Sequence, residues 1–304
     1  MKNILFLGIL FISIFGFKAS STESKTVFYQ SVEWSHDGKS ICFAAIILDS
    51  GKYVNGRWEI YTMKIDGSDF KKITENNFND MWPSFSPDDK SIFFQSDRNG
   101  NQEIYSMDID GSNVKRITDN SGSDNYPVCS PDGKKILFTS NRDGNQDIYS
   151  MNINGTEPFR LTRTKHKEFN PCWSPDGKKI VYFYEKGDHK DQIYICNSDG
   201  SNSLNITNDT LNNIYPEFYM DGTAIIYGTS NQKEKYLCTV NASGQNKITL
   251  SKTAGFFNRC WHDNKQKLSI KGSWPSSEIY LSTIEGAEER TIANVEKILI
   301  LDSK

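Results

Sequence analysis

Cysteine is scarce in this 304-residue chain and never arranged for chemistry. The six residues, Cys42, Cys129, Cys172, Cys196, Cys238 and Cys260, include no CxxC pair, which argues against a zinc ribbon. They occupy strand positions where other segments carry Trp, Met or an aliphatic residue, so they read as small buried hydrophobes. One or two bridges remain open. The four histidines, His36, His166, His189 and His262, form no HxH or HExxH spacing. No GxSxG elbow and no Gly-rich phosphate loop before a helix occurs, and helical periodicity is missing throughout residues 22–304. No block of like charge stands out at a net charge of −3, so nucleic acid has no electrostatic footprint. After residue 21 no apolar run is long enough to cross a bilayer, and the mature chain is expected to have no stable membrane span.

The first residues read as an export signal. Met1 and Lys2 form a basic start, Ile4 to Phe17 an apolar run, and Ala19-Ser20-Ser21 a small-residue cleavage site. Residues 1–21 are therefore expected to be a signal peptide, and the mature protein to be periplasmic or secreted.

The rest of the chain is organised by a repeat. Ser35, Ser86, Ser130, Ser174, Tyr219 and His262 are corresponding positions, separated by 51, 44, 44, 45 and 43 residues. An aromatic or apolar residue precedes each: Trp34, Phe85, Cys129, Trp173, Phe218 and Trp261. A turn follows: Asp37-Gly38, Asp88-Asp89, Asp132-Gly133, Asp176-Gly177, Asp221-Gly222 and the degenerate Asn264-Lys265. Asp-Gly joins adjacent strands tightly because both residues tolerate positive φ. A second glycine turn recurs at Gly67, Gly111, Gly155, Gly200, Gly244 and Gly286, and Ile-Thr or Leu-Thr closes most copies. Such a unit makes four short antiparallel strands that cannot bury both faces alone. Packing the units side by side in a ring buries both. The expectation is an all-β, six-bladed β-propeller with four antiparallel strands per blade, filling residues 22–304. Its blades start near 31, 82, 126, 170, 215 and 258, and an extra C-terminal strand at 295–302 lies against Thr26–Tyr29 to seal the ring.

The runs Trp173-Ser-Pro-Asp-Gly-Lys178, Ser140-Asn-Arg-Asp-Gly-Asn-Gln-Asp-Ile-Tyr149 and Asn154-Gly-Thr resemble the WD-type repeats of the TolB propeller family. The resemblance covers about residues 26–292 and concerns the propeller part only. The first repeat begins soon after the expected cleavage site, leaving no room for the separate N-terminal domain of TolB. The resemblance implies a protein-binding role in the cell envelope, with a partner lipoprotein at the mouth of the propeller.

Strand alternation places the blade-to-blade connections at one mouth of the channel. There Asp80, Trp82, Asp124, Tyr126, Glu168, Asn170, Tyr215 and Phe257 are expected to form a rim of aromatic rings and acids, joined by Trp58 from the outsized loop of the first blade. Such a rim suits a basic or amphipathic peptide; the same aromatics also suit a cap on the core between blades. The runs Asp97-Arg-Asn-Gly-Asn-Gln-Glu103 and Asn141-Arg-Asp-Gly-Asn-Gln-Asp147 resemble the start of a calcium loop without its terminal glutamate, and hairpin loops account for them. Glu33 and Glu217 do not make a cation cage with Ser84, Val128, Cys172 and Cys260 at the matching positions. The expectation is a non-catalytic exported scaffold for a protein or peptide partner, with no catalytic residue, cofactor or metal ligand. The alternative is an enzyme or carbohydrate-binding propeller with a cation in its channel.

Overall fold

A computed structural model of the chain describes residues 25–253, except 50, 51, 54–56, 220, 221 and 232, together with four strand segments between 261 and 291. The signal at 1–21, Phe257 and the strand at 295–302 lie outside the described residues.

Each blade is built from its first turn. Ser35 Oγ donates to Asp37 Oδ1 at 2.8 Å and accepts the Ser40 amide at 2.9 Å, while Asp37 Oδ1 accepts the Lys39 amide at 3.0 Å. Ser86 with Asp88, Ser130 with Asp132 and Ser174 with Asp176 repeat this set. The side chains thus satisfy turn amides that the ladder leaves unpaired, which is why serine and aspartate recur at this spacing. The second blade carries Asp89, at φ 56°, where the third and fourth carry glycine. Its carboxylate crosses to the first blade and accepts the His36 amide at 2.7 Å and the Asp37 amide at 2.9 Å.

Five full antiparallel blades follow from these hairpins. The first has Lys25–Trp34, Ser40–Asp49, Glu59–Lys64 and Lys71–Lys72 in order, and a fifth strand, Lys52–Tyr53, pairs with the end of Ser40–Asp49. The second runs Asp80–Phe85, Ser91–Ser96, Glu103–Asp108, Lys115–Arg116. The third runs Asp124–Cys129, Lys135–Ser140, Asp147–Asn152, Phe159–Arg160. The fourth runs Lys167–Trp173, Lys179–Glu185, Gln192–Asn197, Leu204–Asn205. The fifth runs Asn212–Tyr219, Ala224–Ser230, Lys235–Asn241, Ile248–Thr253. First strands of successive blades touch one another, so they line the axis.

The core lies between blades. Cys42 and Ile60 of the first pack on Phe85, Ile92, Phe94 and Met107 of the second. Phe93 and Ile104 pack on Ile136, Phe138 and Met151 of the third, and Leu137 and Ile148 on Trp173, Ile180 and Tyr182 of the fourth. Val181, Ile193 and Ile195 then pack on Ile225, Tyr227 and Val240 of the fifth. Each such side chain contributes roughly 1.5–3 kcal/mol of burial, so both faces of a middle strand are apolar. Cys42, Cys129, Cys196 and Cys238 are free thiols buried in these layers, and Cys172 is half-buried, its thiol donating to Trp173 O at 3.5 Å.

The expectation of six four-stranded blades does not hold. Five full blades are described, and the first has five strands. Beyond them, Trp261–His262, Gln266–Lys271, Glu278–Thr283 and Glu289–Thr291 pair as a further sheet beside Lys25–Trp34. In the sequence this copy is the one that loses both features of the first hairpin: His262 stands where the others carry serine or tyrosine, and Asn264-Lys265 where they carry Asp-Gly or Asp-Asp.

Candidate binding rim at the channel mouth

The first strand of every full blade breaks register at the same place. The breaks fall between Gln30 and Glu33, Met81 and Ser84, Asn125 and Val128, Phe169 and Cys172, and Ile214 and Glu217. At each break one residue takes a left-handed backbone: Ser31 (φ 58°), Trp82 (53°), Tyr126 (59°), Asn170 (49°) and Tyr215 (54°). Non-glycine residues seldom adopt this region, and five at one register mark a built bulge. Pro83, Pro127, Pro171 and Pro216 follow four of them, and proline has no amide to leave unpaired there.

The bulges hold an arc of rings across four blades. Trp82 meets Tyr126 edge-on at 4.4 Å between centroids, and Tyr126 meets Phe169 at 6.3 Å. Phe169 stacks on Phe183 at 5.5 Å, and Phe183 meets Tyr215 edge-on at 5.9 Å. Trp82 is buried, whereas Tyr126, Phe169, Phe183 and Tyr215 keep part of their surface in solvent. The Tyr126 amide donates to Gln95 Oε1 at 3.1 Å, so the second blade fixes the bulge of the third. Burial raises the Tyr215 hydroxyl above its ordinary pKa, keeping it a neutral donor. Phe169 and Phe183 were not among the expected rim residues. Phe183 comes from a second strand, and its signal is register: it pairs with Phe169, where the other blades carry Ala44, Gln95, Thr139 and Gly228. Asn170 is buried within the same ring of bulges. Trp58 stands apart, packed on Phe28 and Ile46.

The acids expected beside these rings lie inside. Asp80, Asp124 and Glu168 are each 0% exposed. Both oxygens of Asp80 accept from Arg98 Nη2 at 3.0 Å, and Asn76 Nδ2 from the preceding blade donates to it at 2.7 Å. In Asp124 one oxygen, Oδ2, accepts from both Arg142 at 2.6 Å and Asn120 at 2.8 Å. Glu168 has no such arginine and accepts from Thr162 at 2.9 Å and from Thr164. A second row of groups opens the third strands: Glu59, Glu103, Asp147 and Gln192. Glu59 accepts from Thr74 Oγ1 at 2.5 Å and the Asn76 amide at 2.9 Å. Glu103 pairs with Arg116 at 3.1 Å, and Asp147 with Arg160 at 2.6 Å. At the last of these junctions the pair is neutral, Gln192 and Asn213. These groups form a polar belt stitching each blade to the next. Burial pushes Glu59 and Glu168 up to about 7 and raises Asp124. The signal in the sequence was the equal spacing of Asp80 to Arg98 and Asp124 to Arg142, with no arginine matching Asn213.

The remaining candidates also have local roles. Asp97 accepts from the Asn79 amide at 2.8 Å and Nδ2 at 2.6 Å, and Asn101 Nδ2 donates to Asn120 O at 2.9 Å, so the calcium-like run is a hairpin holding the connections into and out of its blade. Ser84 Oγ donates to Glu33 at 3.1 Å, and Glu217 is buried. His166 packs on Tyr184 at 4.3 Å. Among the described residues no three His, Cys, Asp or Glu side chains are placed to hold a metal ion, and no helix is long and apolar enough to cross a membrane.

Comparison with known proteins sets this geometry in a family. A search of curated proteins gives no match. Among solved structures, TolB from Acinetobacter baumannii superposes with a TM-score of 0.65 at 16% identity, covering 87% of this chain and 78% of that one. An oligogalacturonate lyase in complex with manganese gives 0.65 at 13% identity, covering 89% and 78%. A nidogen/laminin complex gives 0.63 at 13% identity, covering 90% and 95%. At these identities the likeness is one of fold. The model of the TolB β-propeller domain matches residues 16–265, and the chain therefore belongs to the TolB β-propeller family.

Proposed function

We propose that this chain is an exported, non-catalytic binding propeller whose channel mouth receives a segment of a protein or peptide partner. The observation that carries this reading is the arc of rings from Trp82 to Tyr215, held on bulges that share one register in successive blades. Bulges divert side chains from the ladder toward the axis. Rigid, half-buried aromatic surface is what peptide-binding sites use for anchoring. Family membership suggests an envelope lipoprotein as the partner and the periplasm or exterior as the place. With the acids stitched inside, the rim offers ring faces and hydroxyls, so recognition is apolar and polar-neutral.

The test is a double substitution, Tyr126→Ala with Tyr215→Ala. Trp82 is left in place because it is buried and its truncation would also open a cavity. A tagged wild-type protein should recover a defined partner from an envelope fraction, and the double variant should lose it while keeping its thermal melt. Recovery of the same partner by a folded double variant would remove the rim from the binding reading.

A further inference from the structure

Blade one lacks two arginines that its neighbours carry. Ser96 pairs with Glu103, Ser140 with Asp147 and Ala45 with Glu59 at the same end of the second and third strands. Two residues further on stand Arg98, Arg142 and, in blade one, Ile47. Arg98 lies over the Phe94 and Tyr105 rings at 5.4 and 4.7 Å, and Arg142 over Phe138 and Tyr149 at 5.2 and 5.1 Å. Blade one keeps the ring pair, Phe43 stacked on Tyr61 at 5.7 Å, but not the arginine. The second difference concerns the carboxylates. Glu103 and Asp147 each bond an arginine from their own fourth strand, whereas the matching residue of blade one is Lys72, whose ammonium lies 3.7 Å from Glu75.

A cavity of about 410 Å³ opens at this place, with Ala45, Ile47, Glu59, Tyr61, Lys72 and Asn76 in its wall. Glu59 is 6% exposed there. Among the described residues the charged groups around it are Lys72, Glu75 and Arg57, which also line the cavity, and Asp80 behind it. Arg57 is held in the cavity wall, its Nε donating to Asn77 O at 2.7 Å. We propose that this cavity binds a guanidinium group of the kind an arginine side chain carries, with Glu59 as its counter-ion and Tyr61 as its aromatic wall. In the second and third blades the carboxylate matching Glu59 is met by a fourth-strand guanidinium, Arg116 or Arg160, beside the tyrosine that matches Tyr61, while the arginine over the rings answers a first-strand acid instead; the buried carboxylate and the tyrosine are both present here. This site is independent of the aromatic arc.

Binding should track the charge on Glu59. Burial and Asp80 hold its proton up to about pH 7, so the carboxylate is ionised at pH 8 and protonated at pH 5.5. The probes are agmatine and N-acetyl-L-arginine amide, titrated into the full chain by ligand-observed NMR, with n-butylamine as the ammonium comparator. The affinity for both guanidinium probes should be roughly tenfold or more tighter at pH 8 than at pH 5.5. Agmatine as the tighter probe marks a free metabolite as the source; the capped amino acid marks a peptide. Glu59→Gln should abolish binding and stay folded, because Gln192 already fills the equivalent place with the same threonine and amide bonds. Lys72→Arg should also block binding by supplying the guanidinium from within, as Arg116 does for Glu103. No binding at pH 8, binding unchanged at pH 5.5, or binding retained in either folded variant would overturn the assignment, as would n-butylamine binding as tightly as agmatine.

Discussion

Glu168 and Asp147 lie side by side, both fully buried, at the junction of the third and fourth blades. Arg160 answers Asp147, while Glu168 has only the hydroxyls of Thr162 and Thr164. Burial therefore outweighs the threonine bonds and lifts Glu168 to about 7, and burial, with the charge of Asp80, brings Glu59 to the same value at the first junction. Both values lie above the ordinary carboxyl pKa of about 4.3, so the folded chain holds these protons more tightly than the unfolded chain. That stabilisation is complete below the unfolded value and is lost as pH rises through 7. The turn aspartates act oppositely: hydrogen bonds from Ser130 and Ser174 pull Asp132 and Asp176 down, and their contribution is lost only as pH falls through those lowered values. The melting temperature should therefore peak near about pH 5 and fall by several degrees toward pH 8. Glu59→Gln with Glu168→Gln, which keeps a neutral donor and acceptor at each site, should flatten that slope. Circular-dichroism melts across this range check it, and parallel slopes in the two proteins would refute it.

At the scale of the hairpin, turns that look alike in the sequence carry unequal constraints. Gly133 and Gly155 both have positive φ, 70° and 87°. A Cβ on Gly133 would meet only the Pro87 ring at 3.8 Å, whereas a Cβ on Gly155 would stand 2.3 Å from the Ile117 carbonyl oxygen. Gly111 and Gly200 repeat that approach, at 2.5 Å from Ile73 O and 2.4 Å from Leu161 O. The second turn of each of these blades thus rests on the backbone of the fourth strand before it. Gly133→Ala should cost only the backbone strain, about 1 kcal/mol. Gly155→Ala adds a clash with a carbonyl that cannot yield and should cost about 3 kcal/mol or more. Urea midpoints of the two variants measure the difference, and equal midpoints would show that the fourth strand gives way. Both glycines were legible as turn residues because turn chemistry is local. Their inequality was not, because the deciding atom lies 38 residues earlier in the preceding blade.

The same division between local and distant signals holds for the whole molecule. Repeat length, turn residues and the antiparallel order within blades came from spacing, since each is set inside about 44 residues. Counting six equal blades extended that spacing to a copy that had lost the serine and Asp-Gly of its first hairpin. The rim was half legible: Trp82, Tyr126 and Tyr215 do meet through Phe169 and Phe183, but Asp80 and Asp124 turn inward to Arg98 and Arg142. Side-chain direction changes at a bulge, and position along the strand does not reveal it. The buried pairs matter for the ring because each lies where one blade joins the next. Arg142 is 17% exposed and Asp124 is 0% exposed, with Oδ1 unpartnered, so Arg142→Ala would strand a buried carboxylate. The expected cost is about 3–5 kcal/mol. Where the fourth and fifth blades meet, the neutral Asn213 stands in the place of Asp124, and its Nδ2 bonds the Asp209 carboxylate at 2.8 Å. Asp124→Asn combined with Arg142→Gln removes both charges of the pair and puts an amide where Asn213 already carries one, so it should recover most of the loss, and the double variant should unfold at higher urea than Arg142→Ala alone. A double variant no more stable than that single one would mean that the charge pair, not the avoidance of a lone charge, holds these blades together.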